Sequence, residues 1–191
     1  MPPRHSSSQI LVTQNSEILF GNRIPKDFFI TSGIGESDIT IHAGSYHLAL
    51  KEAGIEMCNI ITYSSILPKI ATEIEKPKEL VHGSVMETIS AVANSKNGER
   101  ATAGIIFGML HDRKTGEKYG GLVCEYNGNE EEEVSGASLQ SSLKELYNNG
   151  YSERFELKEI RLITRSFVPK KKFGTALIAI CFTNYLVPVT N

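Results

Sequence analysis

The sequence has little net charge, few cysteines and no long hydrophobic run, and each of these shortages excludes a class of protein. The formal charge of −2 over 191 residues provides no field that would attract nucleic acid or an anionic membrane surface. No apolar run approaches the roughly 20 residues that a membrane-spanning helix needs. We therefore expect neither a nucleic-acid partner nor a membrane partner.

The cysteines and histidines are scattered rather than clustered. Cys58, Cys124 and Cys181 lie in apolar surroundings and form no Cys-x-x-Cys pair, which is typical of reduced, buried thiols in a cytoplasmic protein. His42 and His47 are five residues apart and so would point to different sides of a helix. No other cluster has the spacing of zinc ligands. The sequence thus predicts a cytoplasmic protein without a metal site.

The chain is long enough for one domain with a hydrophobic core, since 40% of its 191 residues are hydrophobic. Residues 1–15 begin with a polar run that lacks the apolar stretch of a secretory signal, and we predict a disordered tail there. No linker or internal repeat divides residues 16–191. We predict that they form a single domain.

Hydrophobic periodicity and turn residues predict many strands and two helices. The first helix covers about residues 44–53 and ends at Gly54, and the second covers about 137–149, with Ser135 as N-cap and Gly150 at its end. Strands are predicted at residues 18–20, 28–31, 58–63, 101–110, 119–126, 155–167 and 175–187. Strand-rich segments with two separate helices favour an α+β sandwich with helices outside the sheets.

Other segments are less regular. Residues 32–35 contain two glycines and are predicted to form a turn after the second strand. The acidic run 130–133 is predicted to be a solvated loop, and the basic run 169–172 a turn between the last two strands. Residues 85–92 fit the periods of both a strand and a helix. The run 58–63 is predicted to be a buried strand.

The Ser64-Ser65 pair follows that strand and has two interpretations. A serine pair most simply marks a turn. Alternatively, the Ser65 hydroxyl attacks the Ser64 carbonyl carbon, an ester replaces the amide, and β-elimination with loss of ammonia leaves a pyruvoyl group at position 65. That chemistry needs a turn, which Pro68 would help to hold, and a donor for the oxyanion. Asn59 carries a suitable amide, although it could equally satisfy a backbone group.

Four segments, taken together and in order, resemble the pyruvoyl-dependent arginine decarboxylases, a family of self-cleaving proenzymes. Residues 53–68 resemble the family's cleavage site and residues 32–38 its N-terminal glycine turn. Residues 121–126 resemble its Glu-Tyr active-site strand and residues 172–177 the start of its last strand. The resemblance extends over about residues 28–187.

The resemblance implies cleavage between Ser64 and Ser65. Residues 1–64 would become the β chain, and residues 65–191 would become the α chain, which begins with the pyruvoyl cofactor derived from Ser65. The reaction implied is the decarboxylation of L-arginine to agmatine and CO₂ by a carboxy-lyase. The pyruvoyl carbonyl accepts the electrons left when CO₂ departs.

The resemblance also implies roles for individual side chains. Glu125 matches the family's proton donor, and Asn59 matches a residue beside the cleavage site, with an oxyanion-donor role. A guanidinium group calls for a carboxylate partner, but this sequence has His47 where some family members have an aspartate in the first helix. Asp38 and Glu52 are available substitutes, and we expect Asp38, together with His47, at the substrate.

The family fold is a layered αββα sandwich that assembles as a trimer, or a multiple of one, with active sites between protomers. Two alternatives stay open from the sequence. The chain could be a pyruvoyl decarboxylase of another amino acid, or an uncleaved relative that binds a ligand or supports assembly. Acid resistance, polyamine synthesis and arginine depletion are all compatible physiological roles.

Overall fold

The computed structural model describes residues 22–187, which form a mixed α/β structure dominated by strands. Its strands are β1 (Ile24–Pro25), β2 (Asp27–Ser37), β3 (Asn59–Thr62), β4 (Ile66–Pro68), β5 (Thr72–Glu73), β6 (Val85–Lys96), β7 (Ala101–Asp112), β8 (Lys118–Gly128), β9 (Phe155–Phe167), β10 (Phe173–Phe182) and β11 (Tyr185–Leu186). The helices are a π-helical segment (Ile41–Tyr46) that continues into α1 (His47–Ala53), and α2 (Glu132–Gly150). The predicted tail at 1–15 and the predicted strand at 18–20 lie outside the described residues.

The strands form two large sheets and one small ribbon. Sheet I has five strands in the order β3-β6-β10-β2-β5, and sheet II has four in the order β4-β8-β7-β9. Strand β10 is antiparallel to both β2 and β6 over its whole length, and β1 pairs with β11 as a two-stranded ribbon. Although β3 and β4 are consecutive in the chain, they are edge strands of different sheets.

The main hydrophobic core lies between sheets I and II. Successive side chains of a strand point to opposite faces, so alternate residues of β10 and β7 face each other across this core. The inward residues of β10 are Ala176, Ile178, Ile180 and Phe182, and those of β7 are Ala101, Ala103, Ile105, Phe107 and Met109.

Each helix packs against one sheet on the face away from this core. Helix α1 buries Ala49, Leu50 and Ala53 in a cluster with Leu177 and Ala179 of β10. Helix α2 contributes Leu139 and Leu143 to a cluster with Ile106 and Leu110 of β7. Burial of each such leucine is worth about 1.5–3 kcal/mol, so both helices are held mainly by their apolar stripes.

Residues 32–35 do not form the turn that the sequence predicted. Strand β2 runs through this segment and stays paired with β10. The glycines instead permit close packing, because a Cβ at Gly33 would collide with the Ala49 carbonyl oxygen and one at Gly35 with the Ser45 carbonyl oxygen. Glycine in a strand often marks such an approach of another backbone.

Helix α2 begins earlier than predicted. Its N-cap is Glu131, and the predicted N-cap Ser135 is buried in the first turn, where its hydroxyl donates a 3.0 Å hydrogen bond to the Glu132 carbonyl. Acidic side chains near a helix N-terminus interact favourably with the helix dipole. The second half of the acidic run 130–133 is therefore helical rather than loop. The predicted end at Gly150 is confirmed.

Two strand predictions also need correction. Strand β3 is mostly exposed rather than buried, because it lies at the edge of sheet I. The predicted strand 175–187 is interrupted, since β10 ends at Phe182 and the chain then turns into the ribbon strand β11, with the Thr183 N–H donating to the Asp27 carbonyl at 2.8 Å. The ambiguous segment 85–92 is part of strand β6, and the strands of the β7–β8 hairpin and β9 are confirmed.

The three cysteines are free thiols, with Cys58 and Cys181 buried and Cys124 half-buried. Within residues 22–187 no helix is both long and apolar enough to cross a membrane. Over the same part of the chain, no three His, Cys, Asp or Glu side chains are grouped so that they could hold a metal ion.

Candidate active site

The chain crosses from sheet I to sheet II at residues 63–65. The crossing is anchored at both ends by backbone hydrogen bonds. The Tyr63 N–H donates to the Thr88 carbonyl of β6 at 2.7 Å, and the Ser65 carbonyl accepts from the Val123 N–H of β8 at 3.1 Å. The Ser64–Ser65 peptide bond therefore lies in a short bridge between two edge strands, outside the regular pairing of either sheet.

The crossing contains a very tight turn centred on Ser65. The Ile66 N–H donates to the Ser64 carbonyl oxygen at 2.9 Å, which is the i to i+2 hydrogen bond of a γ-turn. Ser65 does not have a positive φ, so the turn is of the common inverse type. The carbonyl that self-cleavage would attack is thus held in a fixed orientation beside the Ser65 side chain.

The Ser65 hydroxyl is hydrogen-bonded to the Glu125 carboxylate. Its Oγ lies 2.7 Å from Oε1 and 2.8 Å from Oε2, in a partly buried position. Glu125 pairs with Ile105 of β7 and shares its face of β8 with Val123, and both of these neighbours belong to the inter-sheet core. Because side chains alternate between the two faces of β8, the Glu125 carboxylate points towards sheet I at the place where residues 63–65 cross between the sheets.

Aromatic side chains that the sequence did not indicate flank the crossing. The ring of Tyr63 lies 5.8 Å from the ring of Phe182. Burial, together with the neighbouring Tyr63, raises the pKa of Tyr185 to about 12. Both tyrosines pack against the inter-sheet core. Nothing in the spacing of these residues predicted their proximity, because they meet only through the pairing of β3 with β6 and of β6 with β10.

Cys124, beside Glu125 in sequence, is not a competing nucleophile. Burial raises the pKa of its thiol, and the adjacent Glu125 carboxylate raises it further. The thiolate is the reactive form of cysteine, so this thiol stays protonated near neutral pH. At the crossing, it is the Ser65 hydroxyl that hydrogen-bonds the Glu125 carboxylate.

Asn59 is exposed at the start of β3. Its side-chain amide donates a 2.9 Å hydrogen bond to the Gly83 carbonyl, and its backbone N–H donates to the Ser84 carbonyl at 2.8 Å. The amide nitrogen is therefore engaged with the loop before β6. Within residues 22–187 it makes no hydrogen bond to the Ser64 carbonyl.

Asp38 lies far from Ser65 within one protomer. It follows the last residue of β2, which pairs with Phe173 at one end of β10, and its carboxylate accepts the Lys172 N–H at 3.2 Å. The crossing chain bonds to Thr88, which pairs with Cys181. Eight residues of strand between Phe173 and Cys181 correspond to about 26 Å.

His47 is exposed at the first turn of α1, towards the same end of the sheet, since Ser45 bonds Thr175 of β10 at 2.9 Å. It lines an open cavity of about 410 Å³ together with His42, Tyr46 and Leu50. The alternative carboxylate, Glu52, is already paired with Arg165 of β9 at 2.5 Å. The structure brings Ser65 and Glu125 together, but not Asp38 or His47.

Comparison with known proteins identifies the family of the chain. The family described as pyruvoyl-dependent arginine decarboxylase (PvlArgDC) matches residues 27–187, which include both Ser65 and Glu125. The chain belongs to this pyruvoyl-dependent arginine decarboxylase family. Family membership implies a covalently bound pyruvoyl group as cofactor, and a serine hydroxyl held against a carboxylate in a tight turn fits the formation of such a group.

Individual relatives in the family cover most of the chain. Pyruvoyl-dependent arginine decarboxylase AaxB of Chlamydia caviae is 31% identical over an aligned length of 191 residues. The match covers 87% of this chain and 94% of the AaxB chain. AaxB of Chlamydia muridarum is 29% identical with the same coverage. A pyruvoyl-dependent arginine decarboxylase of Methanocella arvoryzae is 31% identical over 119 residues, 53% of this chain and 70% of its own length.

Proposed function

We propose that this chain cuts itself between Ser64 and Ser65 and then decarboxylates L-arginine to agmatine and CO₂. The observation that carries the proposal is the double hydrogen bond from the Ser65 hydroxyl to Glu125, at 2.7 and 2.8 Å. A base within hydrogen-bond reach of a hydroxyl is the arrangement that activates a serine. The relatives named above support the reaction assigned after cleavage.

In the cleavage step Glu125 takes the proton of the Ser65 hydroxyl. The oxygen attacks the Ser64 carbonyl carbon, the C–N bond breaks, and the nitrogen receives the proton, so that an ester replaces the amide. Elimination then releases the Ser64 carboxylate and leaves dehydroalanine at position 65. This residue tautomerises to an imine, and addition of water to the imine releases ammonia and leaves the pyruvoyl ketone. Residues 1–64 and 65–191 would remain together as β and α chains of one domain.

In the decarboxylation step the pyruvoyl carbonyl supplies the electron sink for the electrons released with CO₂. Glu125 stands beside position 65 and so is placed to return a proton to the substrate α-carbon. General acid catalysis by a positioned side chain typically contributes about 10² to 10⁴ in rate. The role proposed for Asn59 at the cleavage site would require its side-chain amide to leave the Gly83 carbonyl, which it bonds at 2.9 Å.

Substrate recognition would need residues from another subunit. An extended arginine is far shorter than the roughly 26 Å of strand that separates Asp38 from the crossing. We therefore propose that Asp38 and His47 act at the Ser65 site of a neighbouring protomer. This requirement calls for an oligomer, and we propose the trimer, or multiple of one, of layered αββα sandwiches that the family resemblance implies. We also propose a cytoplasmic enzyme of arginine or polyamine metabolism.

A second substrate has one observation in its favour. His47 lines its cavity with His42 and Tyr46, and among residues 22–187 no carboxylate lines it. A neutral histidine is a weak partner for a guanidinium group. Decarboxylation of a different amino acid by the same Ser65 and Glu125 is therefore the alternative.

Two measurements test the proposal. Intact mass spectrometry of the purified protein should give two fragments, divided between Ser64 and Ser65, with a blocked N-terminus on the larger one. Incubation with single amino acids, followed by chromatography of the amine products, should give agmatine from arginine. A single uncut chain without activity would refute the proposal, and an amine from another amino acid would select the alternative.

A further inference from the structure

The carbonyl oxygen of Ser64 already accepts a hydrogen bond in the uncut chain. Its donor is the backbone N–H of Ile66, at 2.9 Å, across the tight turn at Ser65. We propose that this N–H is an oxyanion donor for self-cleavage, an inference that rests on the proposed function. The role belongs to the backbone of Ile66 and is independent of its side chain, which is exposed.

The chemistry of the first step explains why this contact matters. When the Ser65 oxygen adds to the Ser64 carbonyl carbon, the C=O electron pair moves onto the carbonyl oxygen, while Glu125 holds the hydroxyl proton. The oxygen then carries negative charge and stays next to the Ile66 N–H. A hydrogen bond to an ionised acceptor is roughly twice as strong as a neutral one. The donor therefore stabilises the tetrahedral state more than the starting amide, as catalysis requires.

Other donors around the crossing are directed elsewhere. The Val123 N–H bonds the carbonyl of Ser65, one residue beyond the attacked group, at 3.1 Å. The side-chain amide of Asn59 bonds the Gly83 carbonyl at 2.9 Å. Within the described part of the chain, Ile66 is the residue whose backbone N–H reaches the Ser64 carbonyl oxygen. The same inverse γ-turn that orients the carbonyl thus also supplies its donor.

The direct test replaces the Ser65–Ile66 amide by an ester, using the α-hydroxy analogue of isoleucine incorporated by nonsense suppression in cell-free translation. This change removes the N–H and keeps the side chain. Loss of one oxyanion donor typically slows a reaction by about 10² to 10³, and we expect a slowing of about 10²-fold here. Formation of the ester between Ser64 and Ser65 is measured by trapping it with hydroxylamine and identifying the 1–64 hydroxamate by mass. Hydroxylamine attack on the introduced ester would instead give a 1–65 hydroxamate, so the two reactions are distinguished.

The matched control is an ester at Val123. An ester at Ile66 has a side effect, because it makes the Ser65 carbonyl a weaker acceptor for the Val123 N–H. An ester at Val123 removes that hydrogen bond entirely but keeps the Ile66 N–H that bonds the Ser64 carbonyl. The Val123 N–H anchors the crossing but does not bond the attacked carbonyl, so we expect the Val123 variant to be slowed far less than the Ile66 variant. Equal slowing of both variants, or an Ile66 ester that reacts at the normal rate, would overturn the oxyanion assignment alone. An unmodified chain that forms no 1–64 fragment would overturn the proposed function instead.

Discussion

Ser65 and Glu125 are 60 residues apart in sequence, yet the serine hydroxyl lies within 2.8 Å of both carboxylate oxygens. The contact depends on β4 pairing with β8, which places Ser65 beside Val123 and hence close to Glu125, two residues further along the same face of that strand. One carboxylate can therefore serve two reactions in succession. In the function proposed above, it would accept a proton from the Ser65 hydroxyl before the cut and donate one to the substrate afterwards.

The first prediction concerns the nucleophile. Ser65→Ala should leave one uncut, inactive chain, because no hydroxyl remains to attack the Ser64 carbonyl. Ser64→Ala is the matched control, since it keeps that carbonyl and should still be cut. Denaturing electrophoresis and intact mass report the result. Fragments from the Ser65→Ala protein divided at the same bond would exclude Ser65 as the source of the cofactor.

Glu125→Gln should slow both reactions. The amide keeps the shape of the side chain but cannot accept the Ser65 proton, so we expect cleavage to fall by about 10²-fold or more. Fully cut protein from long incubations should also decarboxylate arginine more slowly per active site. Glu117→Gln, at an exposed glutamate of the β7–β8 turn paired with Lys69, is the control. Cleavage at the normal rate in Glu125→Gln would restrict Glu125 to the second reaction.

Gly35→Ala tests the packing of α1 on sheet I. The added methyl group would meet the backbone at Ser45 and Ala49, and overpacking of this kind costs about 1–3 kcal/mol. We expect a lower midpoint of urea unfolding for the uncut Ser65→Ala protein carrying this change. Gly150→Ala is the control, because nothing lies within 4 Å of the place that its added methyl group would occupy. An unchanged midpoint for Gly35→Ala would show that α1 can move away without cost.

Stability should fall in alkaline solution partly through Tyr185. Its pKa is raised from 10.0 to about 12 in the folded protein, mainly by burial. The phenol of the unfolded chain ionises at a lower pH than that of the folded chain. The resulting contribution of Tyr185 to the free energy of unfolding is fully present below about pH 10 and is lost as the pH rises towards 12. Urea unfolding between about pH 9 and pH 11 should show a shallower decline for Tyr185→Phe. Parallel declines in both proteins would contradict the assigned pKa.

The sequence singled out Ser65 and Glu125, which the structure brings together, but it did not reveal the geometry that does so. Resemblance to a family was enough to select Ser65 and Glu125, and periodicity located β9 and most of α2. The sequence did not reveal that residues 32–35 continue a strand. A glycine needed for a turn cannot be distinguished from a glycine needed for close packing in a single sequence. The register of β4 on β8, which sets the contact between Ser65 and Glu125, is likewise a long-range property.

Asp38 shows a second limit of the sequence. Its residue type suits a guanidinium group, but only the length of β10 reveals how far it lies from the crossing within one chain. A specificity residue supplied by another subunit leaves no pattern of spacing within its own sequence. Tyr185 was missed for a related reason, because its neighbours Tyr63 and Arg23 are distant from it in sequence.

The strand order of sheet I has a consequence for the cut protein. Residues 1–64 provide β3 and β2, whereas residues 65–191 provide β6, β10 and β5, so strands of the two fragments are interleaved across the sheet. The fragments cannot separate without breaking the sheet, and β2 alone is paired with β10 over ten residues. Complete unfolding of the cut protein is then also a dissociation of its fragments. Its melting temperature should therefore rise more steeply with protein concentration than that of the uncut Ser65→Ala protein.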